Sequence, residues 1–303
     1  MATIFPLADW TREVGGARVH VTTLLPAGRS PHTFDPTPSE IRKLAHARLF
    51  IKVGLKMDDW GNRLTSAAGE KIQVLALGDL LAADHKLPDL TSATAGLREI
   101  GHEEAAEAGH DTHEGHDHAH DHEGTNPHYW LDVELAKASV EEIRSALAAA
   151  DPEGSATYAH NAAAYVQRLS TLDANCSRAL AECSSRSFVS FHNAYPYLAA
   201  RYGLSIAGVI EEYPGKTPSE KYVKALTTEL RRMKIRTVFS EPQLNPQIAE
   251  VIAREVGAEV DVLDPYGGEL APERNSYEKL IHYNVDRLKR ALCGEGAAAS
   301  KGV

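Results

Sequence analysis

From Tyr158 to Cys183, apolar side chains return at alternating intervals of four and three: Tyr158, Ala162, Tyr165, Leu169, Leu172, Cys176, Ala179 and Cys183. That spacing lays one apolar stripe along an α-helix. Asp151-Pro152-Glu153 supplies its start, with a carboxylate at the N-cap, proline at the first helical position and an acid near the positive helix end. A helix from Pro152 to Cys183 runs roughly 48 Å at about 1.5 Å per residue, longer than one lobe of a chain this size is wide. An unbroken helix of that length can pack against both lobes and act as a strut; the alternative is a helix broken near Leu169-Ser170.

Around it, short β-branched runs alternate with amphipathic helical segments, the pattern of βα units and parallel sheets. The strand candidates are Thr3–Leu7, Val19–Leu25, Leu49–Val53 and Ile72–Ala76, then Ser187–Phe191, Ser205–Ile210, Thr237–Ser240 and Glu259–Leu263. The expected fold is α/β, with two lobes, each a mostly parallel sheet flanked by helices, joined by a long rigid helix. Residues 1–150 form the N-terminal lobe, 151–183 the linking helix, 184–295 the C-terminal lobe and 296–303 a disordered tail. Thr37-Pro38-Ser39-Glu40 and Thr217-Pro218-Ser219-Glu220 read as the same capping box, each opening a helix.

A net charge of -10, with no Lys/Arg run, argues against nucleic acid. No segment approaches the roughly 20 apolar residues of a membrane span. The start, Met1-Ala2-Thr3-Ile4-Phe5-Pro6-Leu7, lacks the regions of a secretory signal. It is read as a mature form whose leader was replaced by Met1. Cys176, Cys183 and Cys293 are too few and dispersed for a thiolate metal site. Cys176 and Cys183 lie about 10 Å apart along the predicted helix, beyond disulfide reach. A bridge from Cys293 to either one stays open.

Much of the acidity sits in Gly101–Gly124, which carries His102, His110, His113, His116, His118, His120 and His122 among carboxylates and small residues. With so little to bury, this stretch (101–125 with its flank) is expected to be a mobile loop studded with imidazoles, the commonest transition-metal ligand.

A second class of histidine sits in structured contexts. His32 lies in the proline-stiffened Ser30-Pro31-His32-Thr33-Phe34-Asp35-Pro36-Thr37-Pro38, and His128 follows Pro127 ahead of a helix. His192 closes the strand run Phe188–Phe191, and Asp264 closes Val260–Leu263. Ligands of open α/β sheets bind beyond the carboxyl ends of strands. Two ligands from each lobe would hold one ion in the cleft. His20 and His46 fall within a predicted strand and helix, and His85, His160 and His282 lack ligand neighbours. Glu241, Glu211 and Glu212 are candidates to support the ligands or to face a transporter.

Ile4-Phe5-Pro6-Leu7-Ala8-Asp9, Pro31–Pro38, Asn126-Pro127-His128-Tyr129-Trp130-Leu131-Asp132 and Ser190-Phe191-His192-Asn193-Ala194-Tyr195 together carry a family likeness. Ser240-Glu241-Pro242-Gln243 and Leu263-Asp264-Pro265-Tyr266-Gly267 extend it across nearly the whole chain. The chain resembles the metal-specific solute-binding proteins of ABC importers, most closely the zinc-uptake receptors of the ZnuA type. The resemblance implies His32, His128 and His192 as imidazole ligands and Asp264 as the carboxylate side of the site. It also implies export from the cytoplasm, to the periplasm or another extracytoplasmic space, and a membrane permease as partner. Asn193 stands where such proteins often carry aspartate, and Lys56 where many carry an acid.

Three nitrogens and one carboxylate suit tetrahedral zinc, whereas manganese favours oxygen-rich sites. By the resemblance, manganese-binding relatives carry glutamate where this chain has His192. The expected function is therefore capture of Zn2+ between the lobes by a monomer and its delivery to the permease; the alternatives are a manganese receptor and a zinc hydrolase. Against catalysis, the chain has no His-Glu-x-x-His and no Gly-x-Ser-x-Gly, and a carboxylate ligand would close the metal shell. A third class, a metal buffer using only the His-rich loop, would bind less tightly because flexible ligands must be ordered.

Overall fold

Proline at the first turn and Leu7, Trp10 and Val14 on one side turn Phe5–Gly15 into a helix, α1, where the β-branched run Thr3–Leu7 reads as a strand. Only the residues just before it are extended. Ala2 forms parallel bridges to Thr23 and to Ile51, with Thr3 N–H donating to Ile51 O and Leu25 N–H to Thr3 O. The expected strand Val19–Leu25 is likewise reduced to this ladder around Thr23. The computed structural model describes residues 1–44, 46–62, 72–97, 125–211 and 214–294. The expectations placed on the seven loop histidines, on Glu212 and on the 296–303 tail lie outside the described residues.

The N-terminal half continues through α2 (Pro38–Leu44), β1 (Leu49–Lys52), β2 (Gln73–Ala76), α3 (Leu77–Ala83) and α4 (Val133–Ala150). β1 and β2 pair in parallel, Leu49 opposite Gln73. Glu40 folds back on Thr37 to cap α2, accepting from the Thr37 N–H at 2.7 Å.

A 3-10 turn at Pro152–Gly154 precedes the long helix α5 (Ser155–Ala181). It spans about 40 Å. Tyr158, Ala162, Tyr165, Leu169, Leu172, Cys176 and Leu180 form its buried stripe, so Leu180 rather than Ala179 completes the face. α5 packs on α1 and α4 on one side and on the C-terminal helix α9 (Tyr277–Cys293) on the other. Arg168 of α5 ties both, donating to Glu13 of α1 at 2.7 Å and to Glu278 of α9 at 3.0 Å.

The second half contains β3 (Ser187–His192), α6 (Pro196–Arg201), β4 (Ser205–Glu211), α7 (Glu220–Arg232), β5 (Thr237–Ser240), α8 (Gln247–Val256) and β6 (Glu259–Val262). Its strands form one parallel sheet in the order β4-β3-β5-β6. α7 starts two residues later than the expected box, because Ser219 rather than Thr217 is its N-cap, accepting from Tyr222 N–H at 3.1 Å. One large apolar cluster runs from Ala2 through Tyr165 to Leu292, so both halves share a core along α5. A second cluster, including Val189, Ile210, Leu226 and Ile252, packs α7 and α8 against the sheet.

Two links join segments far apart in sequence. Ala93 of the N-terminal half accepts from Ile206 N–H at 2.8 Å, laying that segment along β4. Cys183 and Cys293 form a disulfide that joins the end of α5 to the end of α9, and Cys176 is a buried free thiol.

Candidate metal centre

β3 delivers His192 at its carboxyl end, where β5 places Glu241 one residue beyond its own end. His192 Nδ1 lies 2.8 and 2.7 Å from the two Glu241 carboxylate oxygens. A carboxylate only accepts, so Nδ1 carries the proton and Nε2 presents a bare lone pair. From the other half, Pro127 and the 3-10 turn Tyr129–Leu131 fix His128. That turn is wedged into the C-terminal half: Trp130 Nε1–H donates to Pro265 O and Tyr277 Oη–H to Trp130 O, both at 2.7 Å. Asn126 Oδ1 lies 3.0 Å from His128 Nδ1 and accepts from His128 N–H at 3.0 Å, which turns the His128 Nε2 lone pair outward as well.

The third imidazole, His32, comes from the Pro31-His32 loop, with Trp60 Nε1–H donating to Pro31 O at 3.3 Å. His32 Nε2 and His192 Nε2 lie 3.1 and 3.2 Å from His128 Nε2. One ligand atom from each of the three rings falls within a 4.8 Å cluster. Four ligands around zinc at about 2.0–2.1 Å sit about 3.3 Å from one another in a tetrahedron. The nitrogen spacing therefore matches two edges of that polyhedron. Bare lone pairs at such separations repel, and a cation between them removes the repulsion.

Burial is uneven. His128 and His192 are each 2% exposed, whereas His32 keeps an exposed edge and marks the open side of the site. Burial, reinforced by His192 and His32, pushes the His128 pKa well below its ordinary value. His32, though exposed on its outer side, is lowered too, by desolvation on the side that faces the cluster and then by His192. Both imidazoles are thus held neutral, the form that binds metal.

Asp264 lies at the end of the β6 segment but not in the imidazole cluster. Its Oδ1 accepts from Tyr266 N–H at 3.0 Å, Gly267 N–H at 3.1 Å and Gln243 Nε2–H at 2.9 Å. Its Oδ2 faces Arg274 Nε at 3.5 Å. Among the supporting residues named from sequence, Glu241 touches a ligand directly and Glu211 turns to Gly215 N–H at 2.7 Å. Asn126 escaped notice as a ligand partner, although an Asx residue two positions before a histidine is a local signal for a side chain that accepts from the following backbone. His20, His46, His85, His160 and His282 are all exposed and outside the cluster; His20 and His46 lie in irregular chain rather than in a strand and a helix.

The family model for the zinc-uptake complex component A, periplasmic, ZnuA, matches residues 1–291. The chain belongs to the ZnuA family. Members of the ZnuA family are metal-binding solute receptors, so the chain is not an enzyme. It is 30% identical over 303 residues to the zinc-binding lipoprotein AdcA of Streptococcus pneumoniae, covering 98% of this chain and 56% of that protein. The chain thus spans about half the length of the streptococcal relatives it matches. A crystal structure of ZnuA superposes with a TM-score of 0.75 at 24% identity, covering 96% of this chain and 97% of that one. The Zn(II)-bound ZnuA-like domain of S. pneumoniae AdcA gives 0.71 at 24% identity, with 97% and 98% covered. These likenesses establish the α/β fold with its long helix.

Proposed function

We propose that the protein captures Zn2+ between its two halves and hands it to the membrane permease of an ABC importer. The observation that carries this reading is the convergence of three imidazole nitrogens, two pairs of them 3.1 and 3.2 Å apart. An all-nitrogen triad suits zinc, whereas manganese favours oxygen-rich, higher-coordinate shells. Asp264 closes the shell from the C-terminal half through Oδ2, the oxygen its backbone donors leave open, as the chain draws together around the ion. Residues 1–150 and 184–295 act as the two lobes and α5 as the strut that keeps their opening small. His102, His110, His113, His116, His118, His120 and His122 collect zinc weakly and pass it to the cleft. The protein works as a monomer outside the cytoplasm, where the Cys183–Cys293 disulfide persists.

The test is a zinc titration against a competing chelator on the intact protein, a form lacking Gly101–Gly124, His192→Ala and Asp264→Ala. The loopless form keeps one tight site, His192→Ala loses it and Asp264→Ala weakens it. Tight binding that vanishes with the loop and survives His192→Ala would instead make this a loop-based metal buffer.

A further inference from the structure

Asn126 is tied to both metal-binding segments at once. Its Oδ1 accepts from His128 N–H and faces His128 Nδ1, each at 3.0 Å. Its Nδ2–H donates to Asn193 O at 2.8 Å, the residue that follows His192. Its own backbone carbonyl accepts from Tyr197 Oη–H, also at 2.8 Å. One neutral amide therefore holds the His128 ring by its rear nitrogen and ties it to the chain just beyond the His192 ligand. We infer that Asn126 is a positioning residue for metal: it fixes His128 in the Nδ1–H form and sets the His128–His192 separation.

The chemistry requires an amide for the full task. The acceptor half selects the ring tautomer, because only a protonated Nδ1 satisfies Oδ1. The donor half binds a carbonyl, which no carboxylate can do without its proton. Alanine removes both halves. Aspartate keeps the acceptor, and its charge strengthens the hold on Nδ1–H, but it turns a second oxygen toward Asn193 O. The two duties are thus separable by substitution. Tyr197 Oη, which holds the Asn126 backbone, is untouched by either variant and keeps the turn anchored.

This rests on the zinc reading above, so the experiment includes a measurement that needs no metal. Long-range proton–nitrogen NMR on the histidine rings of the metal-free protein reports which His128 nitrogen carries hydrogen. Zinc titration against a chelator and the visible spectrum of the cobalt-loaded protein report the site itself. The wild type is expected to show the Nδ1–H form. Asn126→Ala loses that preference, weakens zinc binding by about 10- to 100-fold and alters the cobalt spectrum. Asn126→Asp restores the tautomer but recovers only part of the affinity, because its second oxygen faces Asn193 O; a purely structural role would not return the tautomer. Zinc binding within twofold of wild type in Asn126→Ala, an Nε2–H form in the wild type, or an Asn126→Asp that does not return the Nδ1–H form would each overturn the inference. If the wild type has no tight zinc site, the functional reading fails, and the tautomer measurement still judges Asn126.

Discussion

Breaking the Cys183–Cys293 bridge should destabilise the protein by an amount that follows from chain length. The bridge closes a loop with a sequence separation of 110. Loop-closure entropy for that length corresponds to about 5 kcal/mol at 25 °C. Spread over an unfolding entropy of about 2.1 cal/mol/K per residue for a chain this size, this is a fall of about 8 °C in Tm. The native geometry should survive, because Ser185 N–H already donates to Leu292 O at 3.2 Å beside the bridge. The effect therefore acts on the unfolded chain, which becomes freer. Zinc affinity should not change, since the bridge precedes the start of β3 and His192 ends it, about 17 Å further on. The assay is calorimetry and urea unfolding, in chelator, of the wild type and of Cys183→Ser/Cys293→Ser. Tm drops, and the urea m-value rises as the unfolded state expands. A change in Tm below about 2 °C with an unaltered m-value would refute the entropic argument.

Three further outcomes follow from local contacts. Glu241→Ala leaves His192 Nδ1–H without its carboxylate and should weaken zinc binding by about 10- to 100-fold, measured by chelator competition; equal affinity would deny Glu241 that role. Burial raises the Asp9 pKa to about 6 from 3.8, against the opposing bond from Tyr277 N–H. The raised value means that this contribution is complete below about pH 4 and lost as pH climbs through about 6. Asp9→Asn keeps the acceptor without the charge, so it should match wild type near pH 4 and exceed it by about 1–3 kcal/mol at pH 7.5. Urea melts at both values check this, and a less stable variant at pH 7.5 contradicts it. At Gly96 an added Cβ would sit 2.6 Å from Ile206 O and 3.0 Å from Ala207 Cα. Gly96→Ala should cost about 1–3 kcal/mol, read as a lower midpoint in urea; an unchanged midpoint would mean that the segment is only loosely apposed.

The helix α5 and the three imidazoles were legible because each leaves a local trace. Tyr158 to Cys176 repeats at helical spacing, and His32 and His128 are each preceded by proline. Thr3–Leu7 misled because its β-branched composition competes with Pro6, which starts a helix whose apolar side, Leu7, Trp10 and Val14, only shows over three turns. Asp264 shows where local reading ends. Its place beyond β6 was readable, but its orientation is set by Gln243 and Arg274 and by Asn284, which donates to Asp264 O at 2.7 Å. The partner of Cys293 was undetermined for the same reason: two helix ends meet only after α9 docks on α5.

The contact of Ala93 and Gly96 with β4 also bears on how this receptor can evolve. The chain lies against the edge strand β4 at Ala93 and Gly96, and Asn126 is held by Asn193 and Tyr197 of the same half. The segments up to Leu97 and from Asn126 are therefore both fixed to the C-terminal half. For a flexible connection between two such fixed points, a doubling of length adds only about 0.6 kcal/mol of closure cost. A change of length between these two points should therefore cost the fold little, while His128, anchored just beyond Asn126, stays where it is.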